Sequence, residues 1–126
     1  MLGMVKRNET GQWGERLAEW FLVRRGYRIK ERNLRIGRFQ IDLVAELNSE
    51  VVFVEVKTRG AGSWISAAEA LAPAQRRRLA AAALAYAGRL GGDPSVRFDV
   101  VSIDEGMTRL VIEHWRDALG HGGDLR

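Results

Sequence analysis

The chain has 126 residues, 46% hydrophobic and 29% charged, which fits one globular domain with a core of its own. It has no cysteine and two histidines, His114 and His121, so disulfides and thiolate metal sites are excluded and a histidine zinc site is disfavoured; oxygen ligands suit magnesium or manganese. The net charge is +4, and seventeen of the twenty basic residues are arginine, whose planar fork suits phosphate and favours a polyanionic partner.

No apolar run is long enough to span a membrane, and Met1 to Thr10 carries no segment of signal-peptide length; a cytoplasmic protein is expected. Residues 1–7 and 117–126 are expected to be flexible termini around a single domain over 8–116. Gly11 to Arg25 reads as a helix, with Trp13, Leu17, Trp20, Phe21 and Arg24 at helical spacing, the aromatics expected in the core, and Gly26 as its stop. Strands follow at Tyr27 to Arg32, Arg38 to Leu47 and Val51 to Thr58, the last two joined by a turn at Asn48-Ser49-Glu50. Arg59 to Ser66 is a glycine-rich loop, and Pro73 opens a helix over Ala74 to Leu90 with Leu79, Ala82, Ala83 and Tyr86 as its apolar stripe. Two more strands, Val96 to Ile103 and Thr108 to His114, flank a turn at Asp104 to Met107. The order predicts an α/β sandwich in which the Val52-Val54-Val56 strand is central.

Glu55 and Lys57 are two residues apart on that strand and share a face. Alone, such a pair is an exposed ion pair contributing ~0–1 kcal/mol. Asp42 on the preceding strand changes the reading. If the two strands pair, two carboxylates and one lysine converge at the edge of a core, where charge is costly unless paired or metal-bound. Phosphodiester hydrolysis needs an activated water, neutralised phosphoryl charge and a stabilised leaving oxygen, and carboxylate-held magnesium supplies all three. Asp42 and Glu55 are then the anionic ligands and the Val56 carbonyl a neutral one. Lys57 orients or deprotonates the water, or stabilises the phosphate.

Gly11-x-x-Gly14-Glu15, Arg25-Gly26-Tyr27, Asn33, Ile41-Asp42-Leu43, the run Val52 to Arg59 and the run Arg97 to Val101 together resemble the YraN-like family of bacterial proteins, over roughly residues 8–115. The resemblance implies a PD-(D/E)xK nuclease similar to archaeal Holliday-junction resolvases. The fold implied is a restriction-endonuclease-like α/β sandwich: a central mixed β-sheet of about five strands, flanked by α-helices, with a magnesium site at one edge. Asp42 matches the superfamily's aspartate, Glu55-Val56-Lys57 its (D/E)xK, and Glu15 a first-helix glutamate that binds metal or positions water. The helix dipole alone would also explain Glu15. Two positions depart from the pattern: Gln40 stands where glutamate is usual, and Gln75 where many members have lysine. Gln40 removes a negative charge near the proposed metal.

Arg59, directly after the Glu-x-Lys strand, is the first choice for phosphate contact, with Arg35 and Arg38 in second place. Arg76, Arg77 and Arg78 span about 200° of a helix, so only one or two of them can face a phosphate. Trp64 either stacks on a base or packs its loop onto the core. The function expected is a Mg²⁺- or Mn²⁺-dependent DNA endonuclease, resolvase-like, acting on DNA that includes branched forms, as monomer or homodimer. The alternative is a nucleic-acid-binding module that keeps the fold without efficient catalysis, motivated by Gln40 and Gln75. A third reading is a protein-interaction domain using the alanine-rich helix face.

Overall fold

The computed structural model describes residues 7–59, 73–91, 95–105 and 110–118. Helix α1 (Arg7–Arg24) leads into strands β1 (Arg28–Ile36), β2 (Phe39–Leu47) and β3 (Glu50–Arg59), followed by helix α2 (Pro73–Leu90) and strands β4 (Val96–Glu105) and β5 (Leu110–Trp115). The strands form one five-stranded sheet in the order β1-β2-β3-β4-β5. Only the β3–β4 pair is parallel; the other three are antiparallel. This is the expected mixed α/β sandwich, with β3 at its centre.

The two turns beside β2 set its register. Asn48 and Ser49 both have positive φ, 50° and 70°, and join Leu47 to its partner Glu50 as a two-residue hairpin. Gly37, at φ 59°, opens the Gly37-Arg38 turn between the paired Ile36 and Phe39. Alternation then splits the core in two. Val44, Val51, Phe53, Phe98 and Val100 pack with Leu79, Ala82, Ala83 and Tyr86 of α2. Leu43, Ala45, Val52, Val54, Val101 and Ile103 pack with Ala18 and Leu22 of α1 on the other face.

The chain leaves α1 through a Schellman turn. Tyr27 N–H donates to the Leu22 carbonyl and Gly26 N–H to the Val23 carbonyl, with Gly26 at φ 95°. The expected core role of Trp13 and Trp20 is overturned: they are 42% and 52% exposed. The helix lies too close to the sheet for indoles on its inner face. A Cβ on Gly14 would collide with Thr58 Oγ1, so Gly14, Ala18 and Leu22 face inward and the tryptophans outward. Strand β1 also runs past Arg32 to Ile36, through a bulge between Ile29 and Glu31 and a positive φ of 50° at Asn33. It is a charged edge strand, a composition that discourages further pairing. Helix α1 begins at Arg7, and after β5 the chain stays tied down: Ala118 N–H donates to the Phe98 carbonyl at 2.7 Å. The Trp64 assignment and the residues after Ala118 lie outside the described residues.

A polar cluster is buried under α1. Asp99 is 1% exposed, yet it accepts hydrogen bonds from Arg97 Nε and Nη2, both at 2.9 Å, from the Tyr27 hydroxyl at 3.1 Å and from Asp117 N–H at 3.1 Å, with His114 Nε2 2.8 Å away. Burial alone would raise this carboxyl; the bonds from His114, Arg97 and Asp117 outweigh it and hold it at about 2. A depressed carboxyl stabilises the fold above its ordinary value of 3.8, and that stabilisation is lost as the pH falls through about 2. Asp99→Ala should cost about 3–5 kcal/mol in a urea titration, because it removes the acceptor shared by Arg97, Tyr27 and the Asp117 N–H and leaves the mostly buried Arg97 with Glu50, 3.2 Å away, as its acid partner. Asp99→Asn should lose stability less steeply than wild type over that acid window; an identical acid profile would show that the cluster is not what titrates.

Candidate active site at the open end of the β2–β3 ladder

The β2–β3 ladder runs from Leu47↔Glu50 to Leu43↔Val54. The next residues outward are Asp42 and Glu55. Beyond them β3 continues to pair with β4 as far as Arg59↔Asp104, while β2 has no further partner in β3. The Asp42 side chain fills the gap: its Oδ2 accepts the Val56 N–H at 2.8 Å. On β3, Lys57 Nζ lies 3.2 Å from Glu55 Oε1, with only 27% and 15% of the two side chains exposed. This is a half-buried pair, unlike an open surface bridge.

Asp42, Glu55 and Lys57 thus meet at one end of the sheet, and α1 adds Glu15. The close approach of α1 at Gly14 and Thr58 is what brings Glu15 near Asp42. Burial pushes the Asp42 carboxyl up, against the opposing pull of the Val56 N–H and of Lys57. Burial also raises the Glu15 carboxyl, Asp42 raises it further, and a hydrogen bond with Asn33 opposes both. A half-buried carboxyl raised by burial, with a second carboxyl nearby, is a place that favours a cation or a proton. Among the described residues no three His, Asp or Glu side chains sit close enough together to form a metal cage. Magnesium is commonly held by one or two carboxylates plus water, so an Asp42–Glu55 pair with the Val56 carbonyl is a chemically suitable donor set.

Asn33 is a functional candidate that the sequence reading named only as part of a motif. It is hydrogen-bonded to Glu15, and its Oδ1 lies 3.5 Å from Gln40 Nε2. Its positive φ, a conformation asparagine tolerates better than most residues, aims it there. Gln40 is exposed and its amide turns toward Asn33. Arg38, in the β1–β2 turn, stands at the same end of the sheet as Asp42. Toward the other end of α2, Tyr86 lies beside Glu31 and Glu46. Arg77 and Arg78 are exposed and Arg76 partly buried. The side chains of Arg59 and Gln75 lie outside the described residues.

The fold and these groups define an α/β sandwich that presents carboxylates and a lysine where its central ladder opens. The chain belongs to the uncharacterised protein family UPF0102, whose model matches residues 14–103. This bears out the YraN-like resemblance. A UPF0102 protein from Symbiobacterium thermophilum is 45% identical over 98 residues, 77% of this chain and 83% of that protein. One from Phocaeicola vulgatus is 35% identical over 115 residues, 91% and 95% of the two chains. Among solved structures, SfsA from Pyrococcus furiosus, in complex with Ca²⁺, superposes with a TM-score of 0.38 at 16% identity, covering 89% of this chain and 64% of that one. The chain spans less than two thirds of SfsA, and a superposition of that quality assigns nothing to the site. No helix among the described residues is long and apolar enough to cross a membrane.

The raised Asp42 carboxyl has a consequence for stability. Its folded form titrates above the ordinary 3.8, so wild type loses stability as the pH rises through that raised value. Asp42→Asn keeps an oxygen to accept the Val56 N–H and removes the charge. In metal-free buffer it should melt at a higher temperature than wild type near neutral pH, with the gap closing in acid. A lower melting temperature at neutral pH would mean that the carboxylate is well compensated.

Proposed function

We propose that the protein is a Mg²⁺- or Mn²⁺-dependent DNA endonuclease that hydrolyses phosphodiester bonds, with branched DNA among its substrates. The observation that carries this reading is the Asp42 carboxylate, held by the Val56 N–H where the β2–β3 ladder ends, next to the half-buried Glu55–Lys57 pair. A divalent cation held by Asp42, Glu55 and the Val56 carbonyl would polarise the phosphoryl group and lower the pKa of a bound water. The Val56 N–H fixes Asp42 Oδ2, so the carboxylate has a set orientation before any ligand arrives. Lys57 Nζ, anchored by Glu55, is a donor for a phosphoryl oxygen on which negative charge grows as water adds to phosphorus. Glu15, with its raised carboxyl, is suited to hold or accept the proton that this water releases. Arg38, Arg59, Arg76 and Arg77 are the candidates for backbone phosphates flanking the cut.

The alternative reading, a nucleic-acid-binding module without efficient catalysis, is favoured by Gln40 in place of the family's usual glutamate. The two readings separate on incubation with duplex, branched and single-stranded DNA in Mn²⁺ or Mg²⁺. Wild type should cleave at least one of them, and Asp42→Asn and Lys57→Ala should each reduce the rate by about 10²-fold or more. Gln40→Glu should increase it. Salt-sensitive binding with no cleavage of any substrate would favour the binding module, and cleavage undiminished in Asp42→Asn would remove the assigned site.

A further inference from the structure

Helix α1 turns an aromatic and basic stripe outward. Trp13, Trp20 and Val23 are 42%, 52% and 52% exposed. Trp13 and Trp20 are seven residues apart, which places them on nearly the same face about 10.5 Å from each other. The Arg24 guanidinium lies over the Trp20 ring, 4.4 Å from its centroid. Arg16 and Arg24 border a surface cleft of about 580 Å³ against Trp20 and Val23. Both arginines are exposed, and neither has an ion-pair partner among the described residues. Glu19, the acid that lines the cleft among the described residues, is bound by Arg32 Nε at 2.9 Å. Among the described residues the stripe therefore has an uncancelled positive charge around an exposed indole.

This surface is continuous with the candidate active site. A neighbouring cleft of about 300 Å³ shares Arg16 and Glu19 with the first and is lined also by Glu15 and Asn33, the two residues beside Asp42. An exposed aromatic ring flanked by free cations is the combination that holds single-stranded nucleic acid: the ring stacks on a base of any sequence and the cations take the phosphates. The Arg24–Trp20 contact orders both side chains beforehand, and a guanidinium over a ring still has its N–H edge for a phosphate oxygen. A second copy of this chain fits the stripe less well, because its Arg16 and Arg24 would meet like charges, and Glu19, the acid beside them among the described residues, is already taken by Arg32.

We propose that α1 binds a single-stranded segment of nucleic acid, with Trp20 stacking on a base and Arg16 and Arg24 contacting phosphates, and leads that strand toward Glu15 and Asp42. What is then done to the strand rests on the nuclease reading; the binding itself does not.

The test is fluorescence anisotropy of a labelled oligothymidylate at low salt, run on the full chain without divalent metal. Trp20→Ala should weaken binding about tenfold or more, and Trp20→Phe should recover most of the loss, because a flat ring is restored. Arg16→Ala and Arg24→Ala should each flatten the salt dependence. Wild-type affinity in Trp20→Ala overturns the proposal. So does a change of oligomeric state in Trp20→Ala at unchanged affinity, which would make the stripe a self-contact. Duplex cleavage by wild type together with normal oligothymidylate binding by Trp20→Ala removes this proposal and leaves the nuclease reading standing. Loss of binding in Trp20→Ala from a protein that cleaves nothing does the reverse.

Discussion

The hydrogen bond from the Val56 N–H to Asp42 Oδ2 marks the point where β2 stops following β3. An inner strand needs a partner for every backbone N–H, and at this position β2 supplies a side chain in place of its backbone. That exchange draws a carboxylate into the sheet, where it loses solvent. It also fixes Asp42 beside Glu55 and Lys57, which β3 carries past the end of the ladder. The register that allows it is set by the Asn48-Ser49 hairpin that joins the two strands, since a slip of one residue would turn Asp42 to the opposite face. Helix α1 completes the arrangement because Gly14 lets it approach Thr58 closely enough for Glu15 to sense Asp42.

Asp99 and Asp42 separate structure from chemistry within one sheet. Both are withdrawn from solvent, and burial pushes both carboxyls up. Asp99 is met by Arg97, His114, Tyr27 and the Asp117 N–H, and its carboxyl settles at about 2. Asp42 is met by one backbone N–H and the field of Lys57, and its carboxyl stays raised. Removing a partner from a satisfied buried charge destabilises a fold, whereas a buried carboxyl with few donors costs stability as it stands.

The sequence carried the element order because each element has a clear period. Val51 to Val56 alternates on a buried strand, and Leu79, Ala82, Ala83 and Tyr86 recur along α2 and are all buried. Asp42, Glu55 and Lys57 were legible for the same reason: alternation and one short hairpin decide which residues share an edge. The orientation of α1 was not legible. Tryptophan at helical spacing reads as core, and only the contact of Gly14 with Thr58, a long-range fact, turns Trp13 and Trp20 outward. The Asp99 cluster was hidden too, because Tyr27, Arg97 and His114 are far apart in the chain and each alone resembles a surface residue. Asn33 was visible as an asparagine but not as a bent position within a strand.

The decisive property of the site is whether Asp42 and Glu55 share a divalent cation. Calorimetric titration of the metal-free protein with Mn²⁺ near neutral pH reads this directly. Saturable binding is predicted in wild type, with the signal abolished in Asp42→Asn and Glu55→Ala and retained in Lys57→Ala. Binding absent from wild type, or unchanged in both carboxylate variants, would contradict it.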